Sequence, residues 1–363
     1  MRVSTVIGCA LGAFSAVALL AGRSDGSSHM RSALLGQAPR TVSQIIQRQA
    51  MQNGPLYNYS VLAPHSARPN VHPARTPSFF RKDAMDKPLI FITDGDSMAV
   101  DIFLQGGSNQ YVGQITGFTF PAGLATDRSG NLYVANETGL GIPVFAPPYT
   151  KGPKLTLYPF GKAASIAVST TGLVGAANYC TLPGCLGDTG NVTFYTKNQI
   201  NPCAAVYNRA AFAQVVSDAF DGHGNLYVAG LTPGGQTVIG EISGDCNAKT
   251  IVPLTTTNTI AYPGSIQIDR AGRIAIEDES GLMIDTYNAP KKGSLGNPIS
   301  MTPLGGVSAP LAFAFLASGA DLYAADAGSG FAYEYAYPAG GAPKKTILVN
   351  RAIGVAVTPP LVP

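Results

Sequence analysis

Gly123-Leu124-Ala125-Thr126-Asp127-Arg128-Ser129-Gly130-Asn131-Leu132-Tyr133-Val134-Ala135-Asn136 reads as two short apolar strands around a turn. Asp bonds its own backbone in such a turn, Gly takes the positive φ, and the flanking Leu, Val and Tyr suit a buried strand. Ile142-Pro143-Val144-Phe145 and Lys154-Leu155-Thr156-Leu157-Tyr158 follow, so the unit holds four strands. The pattern returns at Asp221-Gly222-His223-Gly224-Asn225-Leu226-Tyr227-Val228-Ala229, at Ser265 to Ile276, and at Asp321-Leu322-Tyr323-Ala324-Ala325-Asp326. Degenerate copies begin at Leu89-Ile90-Phe91-Ile92-Thr93-Asp94 and at Ser165-Ile166-Ala167-Val168. The second-strand anchors are then Ile90, Leu132, Val174, Leu226, Ile274 and Leu322, spaced by 42, 42, 52, 48 and 48 residues. A four-stranded repeat of this period marks a β-propeller, because each small sheet can bury its faces only against its neighbours. Six copies predict an all-β body of six blades over 88–363.

The first copy lacks an inner strand, since Arg81 to Lys87 is charged and unlike Gly123-Leu124-Ala125-Thr126. Ile353-Gly354-Val355-Ala356-Val357-Thr358 fits the missing place. The C-terminal strand is therefore expected to complete the first blade and close the ring, which hides the unpaired N–H and C=O groups of an open edge.

Composition agrees with a folded body. Of 363 residues only 12% are charged while 45% are hydrophobic, which excludes a coiled coil and a wholly disordered chain. Met1-Arg2 followed by the uncharged run Val3 to Gly22 has the form of a secretory signal, or of an N-terminal anchor if uncleaved. Residues 23–87 carry nine Lys/Arg and three Asp/Glu, a net +6, whereas 88–363 carry 14 and 18, a net −4. The arginines of the arm are scattered among Ser, Pro, Gln and Asn, so 23–87 reads as a mostly disordered, basic flexible arm. Thr41-Val42-Ser43-Gln44 has capping-box form and opens a short helix at 41–52. No basic cluster is dense enough for a nucleic-acid site, and a membrane would be met only through an uncleaved N-terminal segment.

With Cys9 set aside in the apolar run, Cys180, Cys185, Cys203 and Cys246 remain, an even number in a chain that looks exported. The short loop between Cys180 and Cys185 favours their pairing and leaves Cys203 with Cys246, out of three connectivities. The C-x4-C spacing with no His nearby does not fit zinc.

The text Gly-Leu-Ala-x-Asp-x-x-Gly-Asn-Leu-Tyr-Val-Ala-Asn resembles the NHL-type six-bladed propellers of exported bacterial proteins. That resemblance implies a ring with a central channel and no single activity. Relatives of this architecture include gluconolactonase-like hydrolases, a metal-dependent peptide amidating lyase, streptogramin-lyase-like enzymes and many non-catalytic protein-binding or glycan-binding modules. Function has to come from sites.

Four residues past each anchor stand Asp94, Asn136, Asn178, Gly230, Asp278 and Asp326. The five polar side chains would ring one side of the molecule, either as ligand groups or as turn formers. Asp218 is a second candidate, because the other copies carry Leu124, Ile166, Ile266, Ala314 and Val355 there. A carboxylate on an inner strand needs a donor, a cation or channel water, unless a register shift brings Val215 and Val216 inward and leaves Asp218 in solvent. Glu277-Asp278-Glu279 offers oxygen for Ca2+ with one more partner, or a solvated turn; no other cofactor is expected. His223 is the one body histidine, in a turn, and His29, His65 and His72 lie in the arm, which argues against a multi-histidine metal site. Tyr333, Tyr335 and Tyr337 alternate and read as inter-blade packing or as a binding platform. There is no Gly-x-Ser-x-Gly nucleophile elbow. These features predict a non-catalytic binding or scaffold protein, periplasmic or secreted, with a protein or glycan partner at the cell envelope. The alternative is a metal-dependent hydrolase resembling gluconolactonase-like propellers, built on Asp218 or the polar ring.

Overall fold

A computed structural model describes residues 78–138, 141–181 and 189–363. The signal segment 1–22, nearly all of the arm, the helix at 41–52 and Cys185 lie outside the described residues. Six sheets form the blades of a propeller ring, each an antiparallel meander outward from an inner strand, with Ser294–Gly296 added in parallel to the outer strand Val252–Thr256 of the fourth. The inner strands are Ala352–Thr358, Pro121–Thr126, Lys162–Val168, Gln214–Phe220, Pro263–Ile268 and Pro310–Phe315, for blades one to six. The second strands are Leu89–Asp94, Leu132–Asn136, Val174–Cys180, Asn225–Leu231, Ile274–Asp278 and Asp321–Asp326, so each anchor falls at or beside the start of its strand. The C-terminal strand closes the ring as the repeat predicts, with Leu89 opposite Thr358 and Ile92 opposite Val355.

The core is divided into six wedges between neighbouring blades. Successive residues of a second strand point to opposite faces, and both faces are covered, so these strands read as continuous apolar runs. Phe91 packs into the wedge shared with the second blade, beside Leu132 and Val134, while Ile90 and Ile92 pack against Tyr323 and Ala325 of the sixth. Each fully buried side chain of this size stabilises by about 1.5–3 kcal/mol. Tyr333, Tyr335 and Tyr337 belong to the wedge between blades five and six, where the Tyr337 ring meets Phe315 edge-on at 4.7 Å. Their packing role holds.

Blades two to five share one turn between their first two strands. Asp127 Oδ1 accepts from the backbone N–H of Ser129 and Asn131 at 2.8 and 2.9 Å, and Asp221 and Asp269 accept from the corresponding two positions at 2.8–2.9 Å. The third blade has Ser169 instead, whose hydroxyl accepts from Leu173 N–H at 2.9 Å.

Phe79–Phe80 adds a fifth strand outside the first blade, pairing with Tyr111–Ile115, and Ala84 in the 3-10 turn Lys82–Ala84 is buried. The body thus begins before residue 88; the charged run that follows Phe80 conceals it in the sequence. A disulfide joins Cys203 to Cys246 with Cα atoms 5.3 Å apart, tying the outer parts of blades three and four. Cys180 is also disulfide-bonded. Among the described residues no helix is long and apolar enough to cross a membrane.

Candidate functional site

The polar set four residues past the anchors falls at one end of every blade, each member opposite the start of its own inner strand: Asp94 opposite Ala352, Asn136 opposite Pro121, Asp326 opposite Pro310. The side chains turn back on their own blades. Asp326 accepts from the N–H groups of Ser308, Ala309 and Gly328 at 3.0, 2.7 and 3.2 Å. Asn136 Oδ1 accepts from Thr119 and Phe120 N–H at 3.1 and 2.9 Å, and Asp94 from Asp96, Ser97 and Arg351 N–H. Asp278 receives Tyr262 N–H at 3.4 Å. Asn178 is buried and donates to Asn191 Oδ1 at 2.7 Å, but its own Oδ1 has no hydrogen-bond partner. Gly230 leaves the sixth position without a side chain. In four of the six blades the arrangement anchors the loop into the inner strand, the same chemistry as the Asp turns at the other end of the blades.

Glu277 and Asp278 are consecutive on their strand and face opposite sides, and Glu279 lies just past its end. Among the described residues no three His, Cys, Asp or Glu side chains stand close enough to hold an ion together. Glu277 accepts from Ser265 N–H at 3.2 Å, and Ser265 Oγ accepts from Phe313 N–H at 2.8 Å, which links blades five and six. Burial, with smaller contributions from neighbouring carboxylates, pushes both Glu277 and Glu279 up to about 8.

Asp218 is 2% exposed, opposite Val228, and neither carboxylate oxygen is hydrogen-bonded. A bulge between Val215 and Ser217 does shift the register, yet Val215, Val216 and Asp218 are all buried. The structural equivalents are Leu124, Ile166, Ile266, Val355 and, in the sixth blade, Phe313 rather than Ala314, since Phe313 takes the matching partner Ala324. Each equivalent shares a wedge with the residue after the preceding blade's anchor: Leu124 with Phe91, Ile166 with Tyr133, Ile266 with Tyr227, Phe313 with Ala275, Val355 with Tyr323. Asp218 meets Gly175, where an added Cβ would lie 3.2 Å from Asp218 Oδ2. A glycine thus stands where four blades place an aromatic ring, and the carboxyl occupies the room. Burial raises Asp218 to about 7, and Ser165 with the N–H groups of Ala167 and Ala177 offsets part of that cost, although none meets the geometry of a hydrogen bond.

The channel beside Asp218 is narrow. All six inner strands line a cavity of about 110 Å3 that also takes Gln267 and the tail residues Pro360, Leu361 and Pro363. Leu361 packs with the wedge between blades five and six, and the Pro363 carbonyl lies 3.2 Å from where Gly222 would carry a Cβ. The tail therefore crosses the channel mouth on the side of the Asp turns.

A larger recess of about 360 Å3 opens beside those turns, between blades two and three. Its walls are the Asp127 turn, the residues entering the short outer strand Leu155–Leu157, the Ser169 turn, and the Thr196–Asn198 connection. Arg128, Lys154 and Lys197 reach it from three different connections, with Tyr133, Thr170 and Asn198 among the uncharged groups. No motif announced it. The legible signal was the third copy's Ser169 in place of Asp, which takes a carboxylate out of one wall.

No family model and no curated protein matches the chain. Solved structures do. A chain of a nidogen/laminin complex is 15% identical, with a TM-score of 0.55 over 74% of this chain and 98% of that one. Hydrazine synthase from Kuenenia stuttgartiensis is 15% identical, with a TM-score of 0.50 over 76% of this chain and 79% of that chain. Similarity at this level establishes the propeller and nothing about activity.

Proposed function

We propose that the protein is an exported, non-catalytic binding propeller of NHL-like type that takes a protein or glycan partner at the cell envelope. The observation that carries this reading is the polar recess of about 360 Å3 between blades two and three, within the size range of ligand sites. Two others support it. The oxygens of Asp94, Asn136 and Asp326 are engaged by N–H groups of their own blades, and the Cys203–Cys246 disulfide suits an oxidising, non-cytoplasmic compartment.

A second reading, the metal-dependent hydrolase, is favoured by one observation: Asp218 is a buried carboxyl in the channel wall with neither oxygen hydrogen-bonded. Elemental analysis of the desalted protein separates the two. Retention of about one equivalent of Ca, Zn or Mn, lost in Asp218→Ala, overturns the binding reading in favour of the hydrolase. Absence of a retained ion, with no turnover on a lactone panel, is the result the binding reading expects.

A further inference from the structure

We infer that the recess between blades two and three is a subsite for an acidic saccharide, one bearing carboxylate or sulfate groups. The inference deepens the binding function proposed above and rests on it. It starts from a charge imbalance. The body from residue 88 carries more Asp and Glu than Lys and Arg, yet this recess gathers Arg128, Lys154 and Lys197 against a single carboxylate, Asp127. Asp127 is already engaged. Its Oδ1 accepts two backbone N–H groups, and its Oδ2 accepts Asn131 Nδ2 at 2.6 Å and the Tyr133 hydroxyl at 3.3 Å. Of the other described body cations only Arg273, Lys344, Lys345 and Arg351 are ion-paired, so what sets the recess apart is the gathering of three cations in one place. None of the three recess cations belongs to an ion pair among the described residues.

The imbalance is built into the repeat. Blades two, four and five open their first turn with Asp127, Asp221 and Asp269, whereas the blade that forms the facing wall opens with Ser169. Ser does the same backbone work with a neutral hydroxyl, so the turn is preserved while a negative charge is removed from the wall. The recess is left with a formal +2 from Arg128, Lys154, Lys197 and Asp127.

Two features favour a saccharide over a small inorganic anion. The walls interleave hydroxyls and carboxamides with apolar patches, Val144, Leu155 and Val174 among them, which matches the alternation of hydroxyl and C–H faces on a sugar ring. The chain then continues past Leu157 and Asn198 to Tyr158 and Ile200, which are joined by a backbone hydrogen bond of 2.9 Å. Both are exposed, at 47% and 44%, and lie one residue past Leu157 and two past Asn198 of the recess wall, an apolar pair beside it rather than within it. Arg128 suits a carboxylate or sulfate by its planar pair of donors, and the lysines add point charge.

The test is calorimetric titration of the full chain with the α-1,4-linked trimer of galacturonic acid, with its methyl ester, and with a hexapeptide of glutamate. The acidic trimer should bind, weaken at least about fivefold between 20 and 200 mM salt, and bind about tenfold more weakly to each of Arg128→Ala and Lys197→Ala. These side chains are exposed, and an unchanged melting temperature checks that the variants fold. The methyl ester should not bind measurably. No heat with the trimer at millimolar concentration, equal binding by both variants, or tighter binding of the glutamate peptide would each overturn the assignment. Retained metal in the elemental analysis would instead refute the binding function, whatever the titration shows.

Discussion

Asp218→Asn isolates the energetics of one buried carboxyl. Burial raises this group from an ordinary value near 3.8 to about 7, and no other titratable group contributes to the shift. The folded state therefore resists ionisation. Below about pH 4 both folded and unfolded chains hold the proton and the group costs nothing. Between pH 4 and 7 the unfolded chain ionises first, and stability falls with rising pH. Above pH 7 the folded chain carries the full cost. The gap of 3.2 pH units between those two values, at 1.36 kcal/mol each, gives roughly 4 kcal/mol. Asn keeps the shape and cannot ionise, so the variant should gain about 4 kcal/mol over the wild type at pH 8.5 and almost nothing at pH 4. At roughly 2 °C per kcal/mol for a domain of this size, that is a melting-temperature gap of about 8 °C at the higher pH. Urea unfolding at the two pH values measures it directly. An identical difference at both would refute the reasoning, because it would mean that Asp218 ionises normally in the folded state.

Other expectations follow from the same structure. Replacing Cys203 and Cys246 with Ala releases a cross-link spanning 43 residues and should cost roughly 4 kcal/mol by the loop-entropy relation, read as a lower urea midpoint under oxidising conditions. Gly175→Ala places a Cβ 3.0 Å from Leu226 Cδ2 and 3.2 Å from Asp218 Oδ2, and should destabilise by about 1 kcal/mol. In an Asp218→Ala background that loss should shrink by more than about 0.5 kcal/mol; strict additivity in the cycle would break the link between the two residues. Deleting 352–363 uncovers Leu89–Asp94 as a free edge and should produce concentration-dependent association on gel filtration, reversed by adding a peptide of residues 350–363.

The ring was legible in the sequence because its determinants are local and repeated. Leu132 with Asp127, and Leu226 with Asp221, specify a strand and its turn within a few residues, and the spacing of the six anchors specifies the blade count. Even the closing strand was legible, since Val355 and its neighbours follow the template of the other inner strands. Asp218 stood out for the same reason, as a polar residue in an apolar column. Its partner Gly175 did not, because contact between them depends on the register of two different blades. The recess was harder still: Arg128, Lys154 and Lys197 belong to three connections and meet only when blades two and three pack. Blade six departs from the template because its connection from Phe315 to Leu322 is one residue longer than the others, which puts Phe313 where the repeat suggests Ala314.

The closing strand also governs when the protein can finish forming. Leu89 finds its partner Thr358 only after almost the whole body has been made, and the ladder between them joins the two ends of the ring. A chain emerging from a ribosome or a translocation pore can pair the hairpins of blades two to six as they appear, but blade one must wait with an unzipped flank. For that interval the apolar run Leu89-Ile90-Phe91-Ile92 is an adhesive strand, and the ring's closing strand is the one that retires it.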